Sequence, residues 1–337
     1  MSSTIAVSLT ERNPVMTGEQ LVASLVPPPQ FAQATLDGYR PDPDYPSQAA
    51  AVERVRAFAA PQIVKGGGLF ARRKAPEAKP GIYLDGGFGV GKTHLLAALW
   101  RLMPGRKYFG TFIEYTALVG ALGYQGAVKA LSGATFVAID EFELDDPGDT
   151  MVMTRLLGEL AAGGTRMAAT SNTPPNALGE GRFAAVDFLR EIHALSDRFE
   201  VLRIDGLDYR RRDVEGHARS LDEAGYRAAL AEASGPVTDD SFAEVLAHLA
   251  TVHPSRYVRL VDGLAAVGLR DVVTLHNQAD ALRFVAFVDR LYDAQIPVRA
   301  TGTPLDEAFG AEMLAGGYRK KYLRAISRLI ALTTGAG

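Results

Sequence analysis

"GGFGVGKTHLL", residues 86–96, lies between the apolar run "IYLD" and the helical pattern "THLLAALWRLM". Gly86, Gly91, Lys92 and Thr93 satisfy the spacing G-x-x-x-x-G-K-[ST]. Each part of that spacing answers a physical demand. Glycines let the main chain curl so that successive N–H groups face an anion, and the following helix adds the positive end of its dipole. Lysine 92 is placed to neutralise β- and γ-phosphates, while the Thr93 hydroxyl is a hard oxygen ligand for Mg2+. The expected phosphate cradle is therefore Gly86, Gly87, Phe88, Gly89, Val90, Gly91, Lys92, Thr93 and His94. His94 enters it only as a residue of the first helical turn. Leu95, Leu96, Leu99 and Leu102 recur at helical spacing behind the loop. A dinucleotide loop, G-x-G-x-x-G, is excluded, because Lys92 stands where the third glycine would follow Gly87 and Gly89.

Outward from this loop, residues 81–205 alternate short apolar runs with helical patterns. "GIYLD", "RKYFGTF", "ATFVAID", "TRMAATS" and "FEVLRI" read as buried strands, with helices expected after Gly91, Glu114, Asp149 and Val186. Such alternation predicts an α/β fold with a parallel sheet flanked by helices. In "FVAIDEFELDD", 136–146, a buried strand ends in two acids. Asp140 is placed to hold Mg2+ through its water shell, and Glu141 to take a proton from an attacking water. "MAATSNTPP", 167–175, ends another strand in polar residues. Ligands of open parallel sheets lie at the strands' carboxyl ends, so Ser171 and Asn172 are candidates to face the same crevice. Asn172 would orient the water or sense the γ-phosphate; an ordinary Asn-Thr-Pro turn is the other reading.

The chain has 337 residues, 47% apolar and 22% charged, with a net charge of −3. That composition suits a globular protein and supplies no global positive field for nucleic acid. It contains no cysteine, which excludes disulfides, thiolate nucleophiles and cysteine-ligated metal, and fits a reducing cytoplasm. The start lacks the basic-then-apolar pattern of a secretory signal, and no run of about 18 apolar residues occurs.

Residues 1–46 read as an extended arm, because "LVPPPQ" and "YRPDPDYP" are rich in proline. A helix is expected over 47–60 with Ser47 as its cap, opening an ATPase-type core at 47–206. "KGGGLFARRKAPEAKP", 65–80, reads as a mobile basic connector inside that core. Residues 207–337 form a smaller region, helical over "YRAALAEA" and "DDSFAEVLAHLATV" and strand–helix–strand over 271–309. Within it "VRATGTPLDEAF" echoes "MAATSNTPPNAL" at 167–178. The echo is either independent strand-to-turn chemistry or a degenerate duplication.

"YLDGGFGVGKTHLL", "IDEFELDDP", "ATSNTPP", "GEGRFAAVDFLREI", "GLDYRRRD" and "RFVAFVDRLYD", in that order, resemble the cell division protein ZapE family of AAA+-type ATPases, in its actinobacterial branch. The resemblance covers the chain from about residue 20. It implies an ASCE/AAA+-like P-loop NTPase sheet in the order 5-1-4-3-2, ATP and Mg2+ as ligands, and a Walker B pair at Asp140 and Glu141. It also implies a sensor at Asn172 and catalytic roles for Lys92 and Glu141. It departs from the family's pattern over 215–270, which look shortened. Implied partners are a protein client, FtsZ or another divisome component, and further copies of the chain. The implied place is the cytoplasm, peripheral at the division site, with membrane contact at most peripheral.

Enzymes of this type complete their site with a neighbouring protomer's arginine, for which "GEGRFAAVDFLREIHALSDRFE" offers Arg182, Arg190 and Arg198. Arg182 is favoured, as it follows the sensor strand soonest. The final helix, "GYRKKYLRAISRLIAL", places Tyr322, Ile326, Leu329 and Ile330 on one face and reads as a docked helix with a solvated basic flank. The alternatives are Arg324 or Arg328 reaching the nucleotide, or a basic patch for an acidic partner or membrane surface. The short basic stretch "FARRK" has no aromatic platform beside it, so nucleic acid is not an expected partner. Three functions follow: an ATP-driven remodeller of a protein client, a nucleotide-switched scaffold, or a loader for DNA-replication or transposition machinery.

Overall fold

Every residue of Gly81–Gly86 and of Phe136–Asp140 is buried, as central strands of a parallel sheet covered on both faces must be. The computed structural model describes residues 6–60, 79–143, 147–174, 178, 194, 196–207 and 217–334. Their strands are β1 (Ala6–Val7), β2 (Gly81–Gly86), β3 (Lys107–Thr111), β4 (Phe136–Asp140) and β5 (Arg166–Ser171), then β6 (Phe199–Ile204), β7 (Val237–Ser241), β8 (Ala266–Val272) and β9 (Val298–Gly302). They form two all-parallel sheets, β6-β2-β5-β4-β3 and β1-β7-β8-β9. Numbered from its own first strand, the larger sheet has the order 5-1-4-3-2, as the resemblance implies.

The chain separates into two units. Described residues within 18–27 and 31–208 form one, and those within 1–17, 28–30 and 209–337 form the other. In the first unit β2 leads through the glycine loop into a helix at Lys92–Leu102. Leu95, Leu96 and Leu99 of that helix are fully buried, whereas Leu102 is exposed. Strand β3 runs without a loop into Phe112–Leu131, because Thr111 caps that helix and Glu114 returns a bond to the Thr111 N–H. The helix therefore starts before Glu114 rather than after it. Since β2 lies between β5 and β6 while the chain next visits the far edge at β3, the switch of direction falls beside β2. In open parallel sheets ligands bind beside such a switch, outside the strands' carboxyl ends.

Several expectations change. The arm over 1–46 is not uniformly extended: it carries β1, a helix at Gly18–Ala23 and single turns at Leu9–Glu11 and Pro29–Phe31. Its parts divide between the two units. The next helix is Pro46–Ala59, opened by proline and without a side-chain cap; the Ser47 hydroxyl instead accepts the Asp205 N–H at 2.9 Å. The connector up to residue 78 and the helix expected after Val186 lie outside the described residues. "DDSFAEVL" is not helical throughout. Asp239 and Asp240 belong to β7, and the helix begins at Phe242. Buried Asp240 takes the Ser8 hydroxyl and, at 2.9 Å, the Leu9 N–H, so an acidic residue becomes an interior one.

The final helix, Arg319–Thr334, buries Tyr322 and Leu329 as expected, but Arg324 is buried with them. Arg324 and Arg328 both bond the carboxylate of Asp289, Arg324 at 2.7 Å, on the helix Gln278–Asp293. Arg324 therefore does not belong to the solvated flank that the basic pattern suggested.

Candidate nucleotide site

Left-handed backbone at Gly89 (φ 63°) and Gly91 (φ 83°) curls the loop between β2 and its helix. Close packing adds a second reason for glycine. A Cβ on Gly91 would lie 2.4 Å from the Tyr39 ring, and one on Gly86 would lie 2.3 Å from the Ile204 carbonyl. Gly91→Ala is expected to cost about 1–3 kcal/mol, from a disfavoured φ together with displacement of Tyr39. A thermal melt of the purified variant measures it. The helix begins at Lys92 with no side-chain cap, and the positive end of a helix favours an anion at this position.

Lys92 is nearly buried, and its Nζ donates to the Gly86 carbonyl at 2.9 Å, the Gly87 carbonyl at 2.5 Å and Asn172 Oδ1 at 2.8 Å. That places the expected sensor beside the expected phosphate lysine. Thr93 Oγ1 donates toward the Asp140 carboxylate, 3.2 Å from Oδ1 and 3.1 Å from Oδ2. A hydroxyl and a carboxylate converging from two elements form a hard oxygen set of the kind Mg2+ accepts while keeping several waters. Glu141 follows Asp140 with φ 52°, an uncommon value for a residue with a side chain. Its N–H donates to Thr170 Oγ1 at 3.1 Å, and Phe142 N–H donates to the Thr170 carbonyl at 2.7 Å. The structure thus brings together Lys92, Thr93, Asp140 and Asn172, with Glu141 at the adjoining turn.

Other predicted residues have plainer positions. His94 Nε2 donates to the Thr35 carbonyl at 2.8 Å, on the outer side of the first turn. Ser171 is buried, and its hydroxyl accepts the Thr173 N–H at 3.1 Å, shaping the turn that holds Asn172. Arg182 and Arg190 lie outside the described residues. Arg198 lays its guanidinium against Gly158, on the helix Pro147–Ala162.

Three contributors escaped the sequence reading. Tyr39 donates its hydroxyl to the Val90 carbonyl at 2.6 Å, and burial lifts its pKa to about 12, so it stays a donor at neutral pH. The Thr170 hydroxyl donates to Asp140 Oδ1. Tyr83, on β2, ties the turn after β5 by donating to the Thr173 carbonyl at 2.8 Å. Thr170 sits in "AATS", where nothing sets it apart from strand filler. Nothing local marked Tyr39, which sits far upstream of the loop.

The family model of AFG1-like ATPases matches residues 15–227 and 218–336. The chain belongs to the AFG1-like ATPase family. It is 26% identical over 309 residues to cell division protein ZapE of Escherichia coli K12, covering 78% of this chain and 81% of that protein. It is also 21% identical over 299 residues to lactation elevated protein 1 homolog B of Danio rerio, covering 72% of this chain and 59% of that protein. Among solved structures, AMPPCP-bound DnaA from Aquifex aeolicus is similar at 14% identity and a TM-score of 0.39, over 59% of each chain. Family membership and the sheet order make this chain a P-loop ATPase in class. No helix among the described residues is long and apolar enough to cross a membrane.

Proposed function

We propose that the chain hydrolyses ATP to ADP and phosphate and uses the cycle to act on a protein client. The observation that carries this reading is the convergence of Lys92, Thr93, Asp140 and Asn172 at the carboxyl ends of β2, β4 and β5. Main-chain N–H groups of residues 86–93 hold the phosphates, and Lys92 transfers its Nζ from loop carbonyls to phosphate oxygens. Thr93 and Asp140 would hold Mg2+, which neutralises charge across the β- and γ-phosphates. Asn172 orients the water, and Glu141 takes its proton. Residues 86–94 form the nucleotide site of a core that ends near residue 206, with 207–337 as an accessory region.

The active form is a homo-oligomer in which Arg182 of one protomer stabilises charge at its neighbour's nucleotide, a contribution of about 10³–10⁵ in rate. The Escherichia coli relative is a cell division protein, which supports a client in the division machinery; FtsZ as that client, and the cytoplasm at the division site as its place, extend the same reading. Mass determination with and without ATP-Mg2+, coupled to an ATPase assay of the assembled fraction, tests the reading. It predicts nucleotide-dependent assembly and turnover concentrated in the assembled fraction. Equal turnover by the monomer would remove the arginine in trans.

A further inference from the structure

Thr170 occupies the last position but one of β5 and is 2% exposed. Its single hydroxyl makes two bonds with opposite roles. It donates to Asp140 Oδ1, the carboxylate that faces Thr93, and it accepts the Glu141 N–H at 3.1 Å. We propose that Thr170 is a positioning residue, whose hydroxyl sets the metal carboxylate and the turn of the catalytic base in one register. This rests on the ATP-hydrolysing reading above and adds to it a residue that never touches the nucleotide.

The second unit supplies an internal comparison, because several contacts of residues 106–143 and 166–174 recur some 130 positions later. Thr111 accepts the Glu114 N–H at 3.3 Å, and Ser241 accepts the Glu244 N–H at 3.2 Å, each capping the helix that directly follows its strand. The Thr135 N–H bonds the Arg106 carbonyl at 2.7 Å, and the Ala265 N–H bonds the Pro236 carbonyl at 2.7 Å. Glu141 and Asp271 share left-handed backbone, φ 52° and 58°. The Asp271 N–H donates to Thr301 Oγ1 at 3.0 Å, as the Glu141 N–H does to Thr170. The sequence echo between 167–178 and 298–309 falls on this same register.

One position breaks the match. Arg270 stands where the first sheet has Asp140, and a guanidinium has no acceptor to offer a hydroxyl. Arg270 pairs instead with Asp239 at 2.9 Å. The comparison therefore separates the two bonds of Thr170. Accepting the N–H of a left-handed residue is common to both sheets and belongs to the fold. Donating to the carboxylate is confined to the sheet that carries the phosphate loop and belongs to the chemistry.

The test compares Thr170→Val, Thr170→Ser, Thr170→Cys and Thr301→Val in the full chain. It reads turnover and the rise in melting temperature given by ATPγS with Mg2+ over ATPγS with EDTA. Partners that orient a metal ligand are typically worth 10- to 100-fold in metal affinity or activity. Thr170→Val is expected to lose about that much turnover and the metal-dependent part of the rise, while keeping the part seen in EDTA. Thr170→Ser should restore both. Thr170→Cys, a weak donor of similar size, should fall between them and serves if valine does not fold. Thr301→Val should lower the melting temperature yet keep turnover and the metal-dependent rise. Wild-type turnover and metal response in folded Thr170→Val or Thr170→Cys would overturn the proposal, as would an equal loss in Thr301→Val. A wild-type chain that ATPγS does not stabilise at all would defeat the ATP reading itself, and this proposal with it.

Discussion

Glu141→Gln will bind ATP within a few-fold of wild type and turn it over about 10²- to 10⁴-fold more slowly. The expectation follows from where the chain puts this residue. Asp140 closes β4, and Glu141 turns out of the strand with φ 52°, held through its own N–H by Thr170. Glutamine has the same length, and the bond holding the turn is to main chain, so the local geometry survives the exchange. Only the capacity to take a proton is lost. Single-turnover hydrolysis, with ATP affinity measured separately, checks it. Undiminished turnover would remove Glu141 as the base. In cells the same variant separates two uses of the nucleotide. A remodeller loses function with hydrolysis, whereas a nucleotide-switched scaffold retains it.

Asp289→Ala will destabilise the second unit by about 3–5 kcal/mol, the usual cost of removing one partner from a buried ion pair. Asp289, Arg324 and Arg328 have side-chain exposures of 7%, 6% and 11%, so water screens this cluster little. One carboxylate serves both guanidinium groups, and alanine leaves both buried cations without it. A fall in melting temperature on the order of 10 °C is expected for a unit of this size. ATP affinity is expected to be unchanged, since the phosphate loop and Asp140 belong to the other unit. Thermal melts with and without ATPγS measure both quantities. An unaltered melt with weakened nucleotide binding would reverse the assignment of Arg324 and Arg328.

The first sheet was legible in the sequence because its central strands β2 and β4 are buried along their whole length. "IYLD" and "FVAID" are near-continuous apolar runs, and a strand covered on both faces has little reason to look otherwise. The loop at 86–93 was legible because glycine spacing is a backbone demand that few other structures make. The second sheet hid behind its charges. Asp239 and Asp240 look like a helix start, yet Asp240 is interior because Ser8 and Leu9, more than 200 residues away, satisfy it. Arg324 misled in the same way, since its partner Asp289 lies 35 positions upstream on another helix.

Within the site, residues that would touch phosphate or metal announced themselves by type and spacing. Those that hold them did not. Thr170 in "AATS" passes for strand filler, and Tyr39 in "DGYRP" passes for a loop aromatic. Their roles appear only once β4 lies beside β5 and the upstream segment reaches the glycine loop.

Thr93 and Asp140 are expected to share one divalent ion at the foot of a triphosphate. A crystal of the chain grown with ATPγS and Mn2+, examined for the anomalous signal of manganese, tests it most directly. The expected result is a single strong peak within coordinating distance of Thr93 Oγ1 and one water from Asp140, with the phosphates lying along residues 86–93. A nucleotide bound elsewhere, or manganese remote from Thr93, would contradict it.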